Sequence, residues 1–350
     1  MRALIITQYP KLSGVDYHRL WIPHGTMAKL FNVQIDQINE IDSAEDDFLK
    51  QYDFIVANRF LSKMGNNEAL VERLKQLGVP YVLDLDDDYR IPNWHILYHT
   101  AKQGKHAEKI MYCAKHAALV TCTHERLAEV IKKEIGATNV WIIPNGIIPE
   151  GQFEVRGCEF ADRVNFGWSG SVTHFDDVLE MYDSLYSMYK TDYKDKFRMV
   201  YGGYQKEDNI SQAIAGVLTA KGAADKDNFH IYQASEVFKY GYFYDAINVS
   251  LIPLRDNRFN NMKSNLKLLE AGFKRKAVII SDVYPYKPML KHGKNCLVVK
   301  NKNEWYRHMT KLINEPNMVE DLAAQLYDDV QDYHIDNVTE TRYNAYANTF

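Results

Sequence analysis

Twelve short apolar runs punctuate this 350-residue chain, and their spacing restricts the fold more than any other feature. In the first part they lie at residues 3–7, 33–38, 54–57, 81–85, 119–123 and 140–143. In the second they lie at residues 164–168, 197–201, 229–232, 249–253, 277–281 and 296–299. Stretches with helical spacing separate them, for example residues 68–77 and 125–134. Apolar strands alternating with amphipathic helices imply parallel sheets covered by helices on both faces. Each series of six predicts its own α/β domain with a doubly wound parallel sheet.

The boundary between the series is legible. Pro144-Asn145-Gly146 stops the sixth run, Pro149-Glu150-Gly151 follows, and the chain stays polar and unpatterned to Asp162. We expect a first domain over residues 1–148, a second over 149–322, and a helical segment over 323–350. In that segment Tyr343, Tyr346 and Phe350 fall at helical spacing, enough to pack on another surface. A hinge near residue 150 would let the two domains close on a ligand between them.

Composition narrows the function classes. The formal net charge of -4 and a pI of about 6.3 argue against bulk electrostatic capture of nucleic acid or an anionic membrane. A local basic face is still open: residues 102–115 carry four lysines, which also suit a solvated helix. Cys113, Cys122, Cys158 and Cys296 form no C-x-x-C pair, so a zinc or dithiol motif is not expected and a reducing compartment is. The opening apolar run is too short for a signal peptide or a membrane span, so the expected location is cytoplasmic.

The segment richest in chemistry is Asn260-Asn261-Met262-Lys263-Ser264-Asn265-Leu266-Lys267-Leu268-Leu269-Glu270-Ala271-Gly272. It runs from a strand through a loop into a helix, at the carboxyl edge of a parallel sheet where α/β proteins bind ligands. A helix start at Ser264 or Asn265 would offer backbone N–H groups to a diphosphate. Lys263 and Lys267, four apart, would share a helical face, with Glu270 one turn on. A lysine for phosphate and a carboxylate for ribose hydroxyls suit a nucleoside diphosphate sugar. A solvated helix face with an i, i+3 ion pair accounts for the same charges.

The text from Lys267 to Ile279 resembles the signature of group 1 glycosyltransferases, a family of the two-domain GT-B fold. That signature has two glutamates eight residues apart, then Ala, Gly and a Pro-Val-Ile strand. Glu270 matches the second glutamate, and Met262 stands in place of the first. The departure is similar to a phage and bacterial variant reading Lys-Ser-x-x-Lys-x-x-Glu, here Lys263, Ser264, Lys267 and Glu270. The resemblance implies two Rossmann-like domains facing a central cleft, with Lys267 on the diphosphate and Glu270 on the ribose. It also covers Pro144-Asn145-Gly146-Ile147 as the end of the first domain and Phe166-Gly167-Trp168-Ser169-Gly170-Ser171 as the first strand and loop of the second. Gly170 would admit a close backbone approach and Ser171 could donate to phosphate. His174 is a further candidate for the diphosphate. Asp176 reads best as a cap on a helix over residues 178–189. Tyr232 opens a segment placed like the family's base-recognition loop.

The first domain is expected to hold the acceptor. Gly14, Tyr17 and Arg19 fit a Gly-x-x-Tyr-x-Arg text similar to the same variant, with Arg19 as a clamp for phosphate or an acidic acceptor. A helix cap and one solvated arginine are the plainer account. Asp84-Leu85-Asp86-Asp87-Asp88 ends a strand at the carboxyl edge, and Asp86, Asp87 and His95 are acceptor-side candidates, Asp87 a catalytic one. The D-x-D text also occurs as a manganese motif in a different transferase fold, whereas GT-B chemistry usually needs no metal. The function implied is sugar transfer from a nucleoside diphosphate sugar, with no cofactor, to a glycan, a small molecule or modified DNA, with retention of configuration. A DNA-base glycosyltransferase, a nucleotide-sugar epimerase and a non-catalytic nucleotide-sugar binder are the rivals.

Overall fold

The apolar runs become twelve strands in two six-stranded sheets of a computed structural model, which describes residues 1–7, 13–160 and 162–350. The first sheet contains β1 (Arg2–Ile6), β2 (Gln34–Ile38), β3 (Phe54–Asn58), β4 (Tyr81–Leu85), β5 (Leu119–Cys122) and β6 (Val140–Ile142). The second contains β7 (Val164–Ser169), β8 (Phe197–Tyr204), β9 (Phe229–Gln233), β10 (Val249–Ile252), β11 (Ala277–Ser281) and β12 (Leu297–Val299). Every ladder is parallel. β3, β4 and β11 are buried at every position, the expected result for strands covered on both faces.

Local signals set the helix limits. Asn66 caps the helix Asn67–Leu77 by accepting from the N–H groups of Glu68 and Ala69, and Gly78 ends it at φ +71°. The helix expected over residues 178–189 is broken: Phe175–Val178 and Tyr182–Lys190 are α-helical, with a tight turn, Leu179–Met181, between them.

Chain contacts divide the molecule into two compact units. The first is Met1–Gly146, Met262–Ser264 and Tyr333–Phe350; the second is Ile147–Asn261 and Asn265–Asp332. The helix Pro316–Asp329 lies whole in the second unit, and Ile335–Ala347 belongs to the first. Sheet order in the first unit is β2-β1-β3-β4-β5-β6. In the second it is β12-β11-β10-β7-β8-β9. The direction of winding reverses between β1 and β3 in one sheet and between β7 and β10 in the other. Crevices outside the carboxyl ends of such strand pairs are where doubly wound sheets hold ligands.

The first unit is tied together by a buried polar network. The Arg19 guanidinium donates to both Asp84 carboxylate oxygens, at 2.9 and 2.7 Å, and to the Ile143 carbonyl at 2.9 Å. Thr121 donates to Asp84, and Arg342 lies 3.7 Å from the same carboxylate. The C-terminal helix is held further by stacking of Tyr343 on Phe31 and by a 3.0 Å contact between the Tyr346 hydroxyl and His24. Burial alone would push the Asp84 carboxyl upward, but the Arg19 charge and hydrogen bonds outweigh it and hold the group at about 2. Burial and neighbouring arginine charge push His18 and His24 down to about 3, so both imidazoles are neutral.

Removing the carboxylate strands two buried guanidinium groups. Asp84→Ala should destabilise the first unit by about 3–5 kcal/mol, with little effect on a separate calorimetric transition of the second. Because the folded pKa lies below the unfolded one, the Asp84 contribution should be complete above about pH 4 and lost as pH falls through 2. Scanning calorimetry across that acid range checks both.

Candidate functional site

In the second unit the carboxyl ends of β7 and β10 collect a compact set of polar groups. The helix Leu266–Phe273 follows β10 and places Lys267 beside the end of β7. Its ammonium group donates to the Ser169 carbonyl at 2.7 Å and lies 5.2 Å from the centre of the Trp168 ring. Gly170 makes room for this: a Cβ there would sit 2.7 Å from the Lys267 nitrogen and 2.8 Å from the Trp168 ring. Gly203, at φ +93°, approaches the Gly170 carbonyl from β8. Trp168 is fully buried, and its indole N–H has no partner among the described residues. An orphaned buried donor at a sheet's ligand crevice is costly unless something completes it.

Glu270, one turn beyond Lys267, is almost fully buried. It accepts hydrogen bonds from the hydroxyls of Tyr240 and Tyr244, the latter at 2.9 Å. Burial raises its pKa above the ordinary carboxylate value, while both tyrosines and the Lys267 charge act in the opposite direction. The solvated ion pair that charge spacing also allowed is therefore excluded for Glu270.

Next to this pair stands a second cluster. Asp177 is buried and accepts from His174 Nδ1 at 2.8 Å, from the Arg255 backbone N–H at 3.0 Å and from Asn260 at 2.9 Å. Asp176 accepts from the Arg255 guanidinium at 2.8 Å. Asp176 thus lies inside a helical turn, bound to an arginine, and does not cap the helix after it. Ser171 is exposed, its hydroxyl 2.6 Å from that of Thr173. Tyr232 lies on β9, its hydroxyl bonded to Glu159. Arg255 and Asp177 escaped the sequence reading. A cation directly after the fourth strand run, in Pro253-Leu254-Arg255, was the available signal.

Three expected donor residues, Lys263, Ser264 and Asn265, stand before the helix and not within it. The helix starts at Leu266, so Lys263 precedes it and shares no helical face with Lys267. Met262–Ser264 group with the first unit, where Met262 enters the core. Asn265 stands at the helix start, but its amide donates to the Met289 sulfur, 3.1 Å away, and caps nothing.

In the first unit the ends of β1, β3 and β4 surround a cavity of about 320 Å³. Asp87 and Asp88 line it, with Ser13, Asp16, Asn58, Arg59 and Lys63. Arg59 carries a left-handed backbone at φ +66° and donates to Asp86 at 3.3 Å and Asp87 at 2.9 Å. A bulky residue held in that conformation costs about 1–3 kcal/mol and is characteristic of functional sites. Asp86 sits behind the wall, its carboxyl raised by burial against the opposing pull of Arg59. Nothing in the sequence marks Arg59 beyond its place after a strand.

Arg19 requires a correction. It is 1% exposed and fully engaged by Asp84, Ile143 and Asn145, so it cannot clamp a ligand, and it is not the solvated arginine of the plainer account either. Tyr17 is likewise buried, packed edge-on to His18. Gly14 is exposed, within a reciprocal cap in which Ser13 and Asp16 exchange hydrogen bonds. His95 is buried and accepts from the Leu97 N–H in the loop after β4, away from the cavity wall. The acids at and after the end of β4 diverge: Asp84 faces Arg19, Asp86 and Asp87 face Arg59, and Asp88 faces Arg90. Among the described residues no group of three or more His, Cys, Asp or Glu is arranged to hold a metal ion. None of their helices is long and apolar enough to cross a membrane.

No family model and no curated protein matches this sequence. Solved structures do match over nearly the whole length. Sucrose-phosphate synthase from Thermosynechococcus elongatus superposes with a TM-score of 0.71 at 13% identity, covering 99% of this chain and 98% of that one. HepE of Anabaena, in complex with UDP and glucose, gives 0.72 at 12% identity, covering 99% of each. A glycosyltransferase from Rickettsia africae gives 0.68 at 10% identity, covering 99% and 98%. The two doubly wound parallel sheets are those of the GT-B fold.

The tyrosine hydroxyls favour the ionised form of Glu270, so removing them should raise its pKa further. Carboxyl carbon NMR of a Tyr240→Phe, Tyr244→Phe double variant should show the Glu270 titration moving to higher pH.

Proposed function

We propose that this chain is a glycosyltransferase that takes its sugar from a nucleoside diphosphate sugar, with the donor in the second unit and the acceptor in the first. The observation that carries the reading is Lys267, set at the switch point between β7 and β10 beside Gly170 and one turn from buried Glu270. Proteins of the same fold are seen with UDP and glucose or with UDP-glucose. Lys267, in place of its contact to the Ser169 carbonyl, would take the diphosphate, and Arg255 would share that charge where Arg19 cannot. Glu270 would hold the ribose hydroxyls by exchanging its tyrosine partners, and His174, oriented by Asp177, faces the same crevice. The loop after Tyr232 would meet the base.

The reaction then follows from charge. The bond between the anomeric carbon and the diphosphate oxygen breaks as negative charge grows on the leaving phosphate. Fixed cations stabilise that charge most where water is excluded. The acceptor oxygen bonds to the anomeric carbon from the same face, and its proton passes to the departing phosphate, so configuration is retained without a strong protein base. No resident cofactor is needed. Metal independence is part of the proposal, supported by the pairing of each acid after β4 with an arginine. Four free cysteines fit a reducing, cytoplasmic setting.

Lys267→Ala should weaken UDP binding roughly tenfold to a hundredfold, the loss of one charge-assisted contact of about 1.5–3 kcal/mol. Calorimetry that finds unchanged affinity would refute the donor site. Donor hydrolysis should proceed in EDTA at an undiminished rate, and rescue by manganese alone would refute metal independence.

A further inference from the structure

The cavity of the first unit is walled chiefly by carbon. Phe60, Leu85, Tyr89, Ile91, Leu97 and Ile110 supply its described apolar lining. Its acids and Arg59 are already engaged, Asp16 with Ser13, Arg59 with Asp86 and Asp87, Asp88 with the Arg90 N–H, and Asn58, Lys63, Thr100 and His106 complete the polar lining. At about 320 Å³ the space is at the small end for an organic ligand, matching one or two rings and too short for a long acyl chain. Phe60 and His106 face each other here with ring centres 5.5 Å apart and tilted by 53°, the kind of aromatic edge that receives a further ring well. Arg59, fixed in its left-handed conformation by two carboxylates, holds Asp87 at the rim.

We infer that the cavity binds an aromatic group of the acceptor, and that the hydroxyl receiving the sugar lies beside Asp87. This rests on the transferase reading above and goes beyond it by naming the acceptor class. The net charge of the chain and a lining in which Asp16, Asp87 and Asp88 outnumber Arg59 and Lys63 favour a neutral aryl acceptor over a base flipped out of DNA.

The test compares 4-nitrophenyl glucoside, galactoside and mannoside with their methyl counterparts by calorimetry on the intact protein, with and without UDP. At least one aryl glycoside should bind roughly tenfold or more tightly than its methyl partner, the size expected from burying one ring. Thr100→Trp adds bulk at an exposed helix position on the cavity wall and should erase that preference while leaving UDP affinity unchanged. Equal affinity for every aryl and methyl pair overturns the inference, as does a preference that survives Thr100→Trp. Displacement of the bound aryl glycoside by a 5-hydroxymethylpyrimidine oligonucleotide would overturn the neutral class in favour of a flipped base. Failure to bind any nucleoside diphosphate would refute the transferase reading alone, because the aryl preference without UDP is measured separately.

Discussion

The carboxylate of Asp84 is the point on which the first unit turns. It sits at 0% exposure at the end of the central strand β4, where burying an unpaired charge would be prohibitive. Four separate stretches of chain therefore converge on it: Arg19 from the segment after β1, Asn58 from β3, Thr121 from β5 and Arg342 from the C-terminal helix. Such an ion network adds little net stability compared with well-packed hydrocarbon, but it penalises every arrangement that leaves one partner behind. It fixes which helix covers which strand. The cavity walls, built from the loops after β3 and β4, are placed by the same constraint.

How much of this was legible follows from the range of each interaction. All twelve strands were visible because a parallel strand writes its burial into adjacent residues. Helix limits such as Asn66 and Gly78 were also local. Arg19 could not be read correctly, because its partner Asp84 lies 65 residues away and nothing near Arg19 distinguishes a buried guanidinium from a free one. Lys263 and Lys267 illustrate a second failure: spacing four apart implies a shared face only if the helix has already begun, and here it begins at Leu266. Arg59 shows a third, since its left-handed backbone is a property of the folded turn.

The two units solve one problem in two ways. In each, the reversal of strand order opens a crevice at the carboxyl ends, but the chemistry gathered there differs. The second unit places a lysine, an arginine and a histidine around a glycine-lined approach, with Glu270 sealed behind tyrosines. The first pairs Asp86 and Asp87 with Arg59 and sets apolar side chains among polar ones around the remaining space. In the proposed transferase the cationic crevice would take the donor diphosphate and the other crevice the acceptor.

The first unit is discontinuous in sequence, and Arg342 and Tyr346 are among its buried members. On the ribosome the sheet β1 to β6 emerges early, yet the Arg342 guanidinium beside Asp84 is translated about 200 residues after β6, beyond the whole second unit. A nascent chain therefore waits with a partly neutralised core and an uncovered helix Ile22–Phe31 until the helix Ile335–Ala347 has been made. Premature termination anywhere in the second half would leave that core permanently unfinished, so the arrangement ties the maturation of one site to the complete synthesis of the other.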